Sequence, residues 1–365
     1  MDSKKITEVT RTYDIRDKAY FLMEDDDGTK IASFKTIKEV IQRSSFCDTI
    51  NDLKILTLDE GVVITTLGYH KVGDGGAATY VITYDPGATD DGALCHFMKT
   101  SDTLRAKLVM EGSVSVMAFG AVGDGATDDY EALQKAIDSG VPITFPSNKV
   151  FKILSPLMIE SGRKVNFNGC TINNPNSTAI QIGKNGDAAS NVQISNVNII
   201  GLRGIEVVTG CSDVCFDNVT IKGQLSSSEY GFRLLSDDNI RIIDCRISNV
   251  QYGIAVYTEN SITDLRMISI VNTLIDAIQI AIQTSGGQSH STYIAISECK
   301  LSATVVDGSC GVYFGSASDI VTMVACLVNN ATTGINVVGS GTSAKCYNVE
   351  TINCTTQSSG SVTFS

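Results

Sequence analysis

Residues 192–199 read VQISNVNI, and residues 214–221 read VCFDNVTI. Both follow one template, apolar-x-apolar-x-x-apolar-x-apolar. It recurs as VNFNGCTI from Val165, IRIIDCRI from Ile240, LRMISIVN from Leu265, IAISECKL from Ile294, VTMVACLV from Val321 and YNVETINC from Tyr347. Every template position is apolar except Asn272. A second track lies between the first, a Gly or Ala followed by apolar-x-apolar: AIQI at Ala179, GIEV at Gly204, GFRL at Gly231, GIAV at Gly253, AIQI at Ala277, GVYF at Gly311 and GINV at Gly334. Starts of the first track lie 22 to 29 residues apart. Two short alternating strands in that length leave no room for a crossover helix. The chain from about residue 113 therefore predicts a solenoid of parallel strands, with coils stacked about 4.8 Å apart.

This reading places the cysteines. The third apolar position of the template holds Cys170, Val197, Val219, Cys245, Ile270, Cys299, Cys326 and Ile352. Cysteine alternates there with Val and Ile, as a small buried hydrophobe does. The chain has eleven cysteines, no CxxC pair and no secretion signal, which argues against a disulfide scaffold or a metal cluster.

Upstream of the coils, residues 119–140 read FGAVGDGATDDYEALQKAIDSG. Gly123-Asp124-Gly125 suits a turn. Asp128 and Glu131 suit a capping box, and Ala132, Leu133, Ala136 and Ile137 form one helical stripe that stops at Gly140. A solenoid has an open end with bare strand edges, so this helix is expected to plug it. Phosphate, metal and catalytic readings of the aspartates are weaker, because turn and cap chemistry accounts for each.

Residues 13–42 read as strand, tight turn at Asp27-Gly28, strand and short helix, with Glu24–Asp27 a solvated turn rather than a calcium loop. Residues 51–112 read as a β-rich unit. Its VGDGG run precedes a strand, AATYVITY, and not the helix a phosphate cradle needs. His70 and His96 have no partner close in sequence and are expected on the surface or in packing. The net charge of −12 argues against a nucleic-acid backbone binder. No apolar run approaches bilayer length, and the polar N-terminus lacks a signal-peptide centre.

The 119–140 segment, followed by VPITFPSNKVFKI, resembles the opening of the pectate-lyase-like right-handed parallel β-helices of bacteriophage tailspikes. Phe119-Gly120-Ala121, Gly123-Asp124-Gly125 and Thr127-Asp128-Asp129 stand in the family spacing; Asn148 replaces a usual glycine. TTLGYHKVGDGGAATYVI and LRAKLVMEGSVSVMAFGA look like the domain that precedes the helix in that family, and residues 13–42 resemble a virion-attachment module. The resemblance implies an all-β fold: a right-handed, single-stranded β-helix of about 8–10 rungs with an N-terminal capping helix. It implies an attachment module over 1–50, a β-rich linking domain over 51–112 and the β-helix over 113–365. It further implies a homotrimeric tail spike or tail fibre in the virion, made in the host cytoplasm. Residues 1–112 would hold tail or baseplate proteins, and the β-helix would hold host surface polysaccharide. No cofactor, metal, nucleic acid or membrane insertion is expected. Asp237-Asp238 occurs in LLSDDNI without the Gly-His-Gly or Arg-x-Lys of polygalacturonases, and no calcium-and-arginine constellation of a pectate lyase is present.

Function in a solenoid sits on outward positions and on loops. The outward residues of the second track are Gln181, Glu206, Arg233, Ala255, Gln279, Tyr313 and Asn336 in turn. Such a ladder can hold sugars, face solvent or pack on a neighbour. The connections 222–231 and 302–311 are long, which predicts a shallow groove between them, lined by Glu229, Tyr230, Arg246, Tyr252, Asp276 and Asp307. Candidate acids are Glu229, Asp237, Asp238, Asp276 and Asp307. Candidate sugar contacts are Glu206, Arg233, Arg246, Tyr252 and Tyr313. Two reading frames stay open: a glycan-binding appendage, or an endo-acting depolymerase on the same coil.

Overall fold

The computed structural model describes residues 20–25, 28–33, 46–110, 112–224, 229–235, 238–258, 266–286, 292–304, 308–315, 320–339 and 341–365. The chain divides into two compact units, Met1–Val109 and Met110–Ser365.

In the first unit, β1 (Tyr20–Asp25) and β2 (Gly28–Ser33) run antiparallel with Asp25 opposite Gly28. The helix expected over KTIKEVIQ, and the tip of the acidic turn, lie outside the described residues. Strands β3 (Phe46–Cys47), β4 (Val63–Thr66), β5 (Ala78–Tyr84), β6 (Cys95–Phe97) and β7 (Leu104–Leu108) form a sheet in the order β3-β4-β5-β7-β6. Helix α1 (Ile50–Ile55) opens with a reciprocal capping box between Thr49 and Asp52. It lays Ile50 and Leu53 against Ile64, Tyr80, Ile82, Met98 and Ala106. The VGDGG run is a turn. The Asp74 carboxylate accepts the backbone N–H groups of Tyr69, His70, Lys71 and Gly76. Burial opposes the charge, yet these four bonds hold the carboxyl below its usual range. The loop thus supplies its own anion.

His96 is fully buried, with its Nδ1 3.5 Å from Asp90 Oδ1 and its ring between those of Tyr69 and Tyr80. Burial, helped by Lys54, pushes the imidazole down to about 4 against the pull of Asp90.

In the second unit, three parallel sheets wind as a β-helix of about eight coils. Sheet A collects residues 192–195, 214–217, 240–243, 268–271, 294–297, 321–324 and 344–346. Sheet B collects 198–201, 220–222, 246–248, 274–276, 300–302, 327–329 and 350–352. Sheet C collects 180–182, 205–207, 232–234, 254–256, 282–284, 312–314 and 335–337.

The two x positions at the centre of the template are the corner from A to B. Its second residue is left-handed in each coil: Asn196, Asn218, Asp244, Asn272, Glu298, Ala325 and Asn348, with φ between 45° and 56°. Asn and Asp tolerate that conformation best among residues with a side chain. Their amides also bond between coils: Asn218 Nδ2 donates to Asn196 Oδ1 (2.7 Å) and Asn272 Nδ2 to Asp244 Oδ1 (2.6 Å).

Two template registers need correction. Ile240 pairs with Ile268 and Val321 with Ala344, so those coils start at Ile268 and Ala344, three residues from the expected Leu265 and Tyr347. Asn272 is then the corner residue and not an exception. Thr273 and Val349 replace Ile270 and Ile352 in the small-residue column. The cysteines of that column are buried, and they also donate at the corner. Cys245 bonds the Ile243 carbonyl (3.1 Å), Cys299 that of Ser297 (3.1 Å) and Cys326 that of Val324 (3.2 Å), as Thr273 Oγ1 bonds Val271 (2.9 Å).

Helix α2 (Tyr130–Asp138) buries Leu133, Ala136 and Ile137. The Asp128–Glu131 capping box does not form. The N-cap is Asp129, which makes no side-chain cap bond. Its buried carboxylate instead accepts Val122 N (2.6 Å) and Gly123 N (3.0 Å), fastening the turn before the helix. Asp128 Oδ1 accepts Tyr130 N and Leu154 N (both 3.2 Å), and Asp124 accepts Ala126 N and Thr127 N (both 2.8 Å). Asn148 is left-handed (φ 62°), which is why it can stand where the family uses glycine. Gln134 meets the first-coil strand Leu157–Ile159 directly. Its Nε2 donates to Met158 O (2.9 Å) and its Oε1 accepts Met158 N (2.8 Å). The side-chain amide substitutes for the missing neighbouring strand.

Gln134→Leu leaves both Met158 backbone groups without their partner and should destabilise the second unit by about 2 kcal/mol in urea unfolding. His96 gives a pH test. Its folded pKa lies below the ordinary value of 6.5, so the unfolded state binds the extra proton between about 6.5 and 4. Stability is full above that window and falls through it, by about 2–3 kcal/mol in all. Replacing His96 with Phe should flatten this slope in unfolding midpoints measured from pH 7 to 4.

Candidate functional site

The outward column of sheet C runs Gln181, Glu206, Arg233, Ala255, Gln283, Tyr313 and Asn336. Gln283 replaces the expected Gln279. The sequence AIQIAIQT repeats itself, and the second copy supplies the strand: Ile282 pairs with Ile254 and Val312, whereas Ala277 pairs with Val250 and Ala303 in sheet B. Sheet C begins at a column of small residues because the coils approach closely there. A Cβ on Gly231 would meet the Gly253 carbonyl of the next coil, and one on Gly253 would meet Ala281 O.

At the centre of the column, side chains converge. Arg233 Nη1 lies 2.8 Å from Glu206 Oε2 in the coil before. Its guanidinium carbon is 5.8 Å from the Tyr230 ring centre and 5.5 Å from that of Tyr257, within cation–π range. Tyr257 OH donates to Tyr230 OH (3.1 Å) and Gln283 Nε2 donates to Tyr257 OH (3.2 Å). Tyr230 stacks on Tyr252 with ring centres 5.6 Å apart. Ala255, though outward, has no exposed surface. At the start of the strands Arg203 Nε binds Glu229 Oε2 at 2.8 Å. The same two coils are therefore joined by two Arg–Glu pairs of opposite direction.

Burial, then the bond to Tyr230, pushes the Tyr257 hydroxyl well above its usual range, so it remains a neutral hydrogen-bonding group. Glu229 holds the Arg203 guanidinium more firmly protonated. The arrangement offers aromatic faces, one guanidinium and several hydroxyl and amide groups. Those are the elements that grip a hydroxyl-rich ligand.

The structure brings together Glu206, Arg233, Tyr252 and Tyr230, with Glu229 at the edge; Tyr313 continues the column. It places the other candidates elsewhere. Arg246 is exposed on sheet B, beside a surface depression of about 410 Å³ that Asp244, Asn272 and Lys300 share. Asp276 is also on sheet B and accepts Ser302 Oγ (2.9 Å). Asp238 starts a sheet A strand and accepts Met267 N of the next coil (3.0 Å). Asp237 and Asp307 lie outside the described residues, as do the middles of both long connections. The groove expected between those connections thus divides: its aromatic wall is on sheet C, while Arg246 and Asp276 face another way. Glu229, Asp238 and Asp276 each serve a separate partner and do not form a pair. Among the described residues no cluster of three or more His, Cys, Asp or Glu could hold a metal. No helix there is long and apolar enough to cross a membrane.

Sequence reasoning missed Tyr257. The signal was present, since Tyr257 lies two residues beyond outward Ala255 on an alternating strand.

Residues 185–356 match the family described as right handed beta helix region, so the coil is right-handed. A stretch of 36 residues, 10% of this chain and 4% of the relative, is 61% identical to the pre-neck appendage protein of Bacillus phage B103. The enzymatically active domain of bacteriophage CBA120 tailspike protein 2 superposes with a TM-score of 0.64 at 14% identity, covering 90% of this chain and 58% of that one. Pantoea stewartii WceF, described as a glycan biofilm modifying enzyme with a bacteriophage tailspike-like parallel β-helix fold, gives 0.53 at 17% identity, covering 95% and 52%. The likeness to the solved structures is one of fold, and the chain spans little more than half of each.

The Tyr230–Tyr257 hydroxyl bond predicts measurable coupling. In a double-mutant cycle of Tyr230→Phe and Tyr257→Phe, urea unfolding should give an interaction energy of about 1 kcal/mol, with Tyr257→Phe the costlier single change because it also strands Gln283.

Proposed function

We propose that a chain built on this right-handed β-helix is a bacteriophage tail appendage of the tailspike or tail-fibre kind. It recognises host cell-surface polysaccharide on the outer face of sheet C. One observation carries the reading: the Arg233–Tyr230–Tyr257 cluster, with Glu206, Tyr252 and Gln283, on the coil face that presents one residue per rung. Aromatic rings suit the apolar faces of sugar rings, and the guanidinium, amide and phenol groups suit their hydroxyls. The fold shared with phage tailspikes and the match to a phage pre-neck appendage protein support it. In this reading residues 1–50 attach to tail or baseplate proteins, 51–112 link, and 113–365 bind glycan. The chain acts in the virion tail as a homotrimer, after synthesis in the host cytoplasm.

The second reading is an endo-acting depolymerase. It is favoured by the solved relatives, which are described as an enzymatically active tailspike domain and a glycan-modifying enzyme. Two features favour binding. Glu206 and Glu229, the carboxylates at the cluster, are each held in an ion pair with arginine. The remaining described candidates, Asp238 and Asp276, lie on other sheets.

Surface polysaccharide from the phage's host should bind the full chain and emerge intact. Reducing ends and chain length are the measurements, and release of oligosaccharides would establish the depolymerase reading instead. Arg233→Ala with Tyr257→Ala should weaken binding at least tenfold, while Arg246→Ala should leave it within twofold.

A further inference from the structure

We infer that the outer face of sheet A, across its middle coils, is where copies of this chain pack on one another. Three coils present three outward columns there. Met267, Tyr293 and Ile320 form the first. Ser269, Ala295 and Thr322 form the middle one, and Val271, Ser297 and Val324 the third. Inward neighbours such as Ile268, Ile294 and Val321 are buried, so the alternation fixes these columns on the outside. Large side chains stand on the first column and partly on the third, with small ones between. The face is two apolar ridges and a trough. Met267 is 51% exposed, Ile320 45% and Val324 41%.

Charge identifies the occupant. The chain carries a net −12, so two copies repel wherever charged faces meet. None of the nine outward positions is charged. The same columns carry Asp213, Asp217 and Arg241 in the preceding coils and Lys345 in the following one. Sheet B carries Arg246, Asp276 and Lys300 at its outward positions. Sheet A thus offers a strip where a like-charged copy can dock without burying an unpaired charge. The ridges and trough run along the coil axis. A ridge of one copy set in the trough of the next keeps the axes side by side and lets the arrangement close into a ring. This rests on the homo-oligomer part of the proposed function and not on glycan binding.

The test uses the full chain. Ala295→Glu with Thr322→Glu puts two carboxylates in the trough without touching the core. Sedimentation velocity at a concentration where the parent is oligomeric should then show the single-chain mass, with association weakened at least tenfold. Asn336→Glu with Ser359→Glu, its partner in the next coil on the outer face of sheet C, should leave the oligomer intact. A parent that sediments as a single chain overturns the homo-oligomer reading and this inference together. An oligomeric parent that tolerates the sheet A carboxylates, or is split by the sheet C ones, overturns this inference alone. Peroxide oxidation followed by mass spectrometry checks the unmutated protein. Met267 should oxidise slowly, like buried Met323; oxidation as fast as that of Met110, which is 52% exposed, overturns the inference.

Discussion

Everything in the second unit depends on one residue per coil that takes the left-handed conformation between sheets A and B. A strand can continue, or it can turn and begin another strand with its inside still facing in. The left-handed corner accomplishes the turn in a single residue. It allows apolar positions on both sides to point into the same core. Because the corner repeats at the same place in each coil, Ile, Val and Phe stack on their counterparts, and the core is one continuous column. The side-chain hydrogen bonds from Asn218 to Asn196, and from Asn272 to Asp244, tie successive corners at the spacing the backbone demands.

A coil of this kind solves its own hydrogen bonding everywhere except at its ends. At the N-terminal end the answer is specific. Helix α2 covers the apolar opening, and Gln134 supplies one amide in place of a strand. The aspartates of the preceding loop are occupied in the same task. Asp124, Asp128 and Asp129 each accept backbone N–H groups that a turning chain would otherwise leave bare.

Much of this was legible in the sequence. Apolar spacing disclosed the coils, the absence of room for helices disclosed parallel stacking, and the Gly/Ala track disclosed a second strand in each coil. Errors came where local sequence fits two registers. LRMISIVN satisfies the apolar template as well as the true ISIVNTLI, each with one polar position, and the pairing of Ile268 with Ile240 and the corner conformation of Asn272 separate them. AIQIAIQT offers the same motif twice, and only pairing to neighbouring coils chooses Gln283 over Gln279. The cluster on sheet C was half visible for a related reason. Outward columns follow from alternation, so Glu206, Arg233 and Tyr313 could be named. Tyr257 follows from the same alternation, but its bond to Tyr230 joins neighbouring coils, and spacing within one strand does not report that. The candidate acids scattered because sequence proximity to a long connection does not say on which side of the coil a residue stands.

The column of small residues that opens sheet C has a consequence for how such a molecule can change. Backbone carbonyls of one coil occupy the space where side chains of the previous coil would begin. A Cβ there would also strike the Ile247, Ile275 and Val328 side chains of sheet B, so the column stays small whatever the outward positions carry. The outward surface and the architecture that spaces it are specified by different residues. The former can differ almost completely while the latter stays in register, and the same fold recurs at 14% identity.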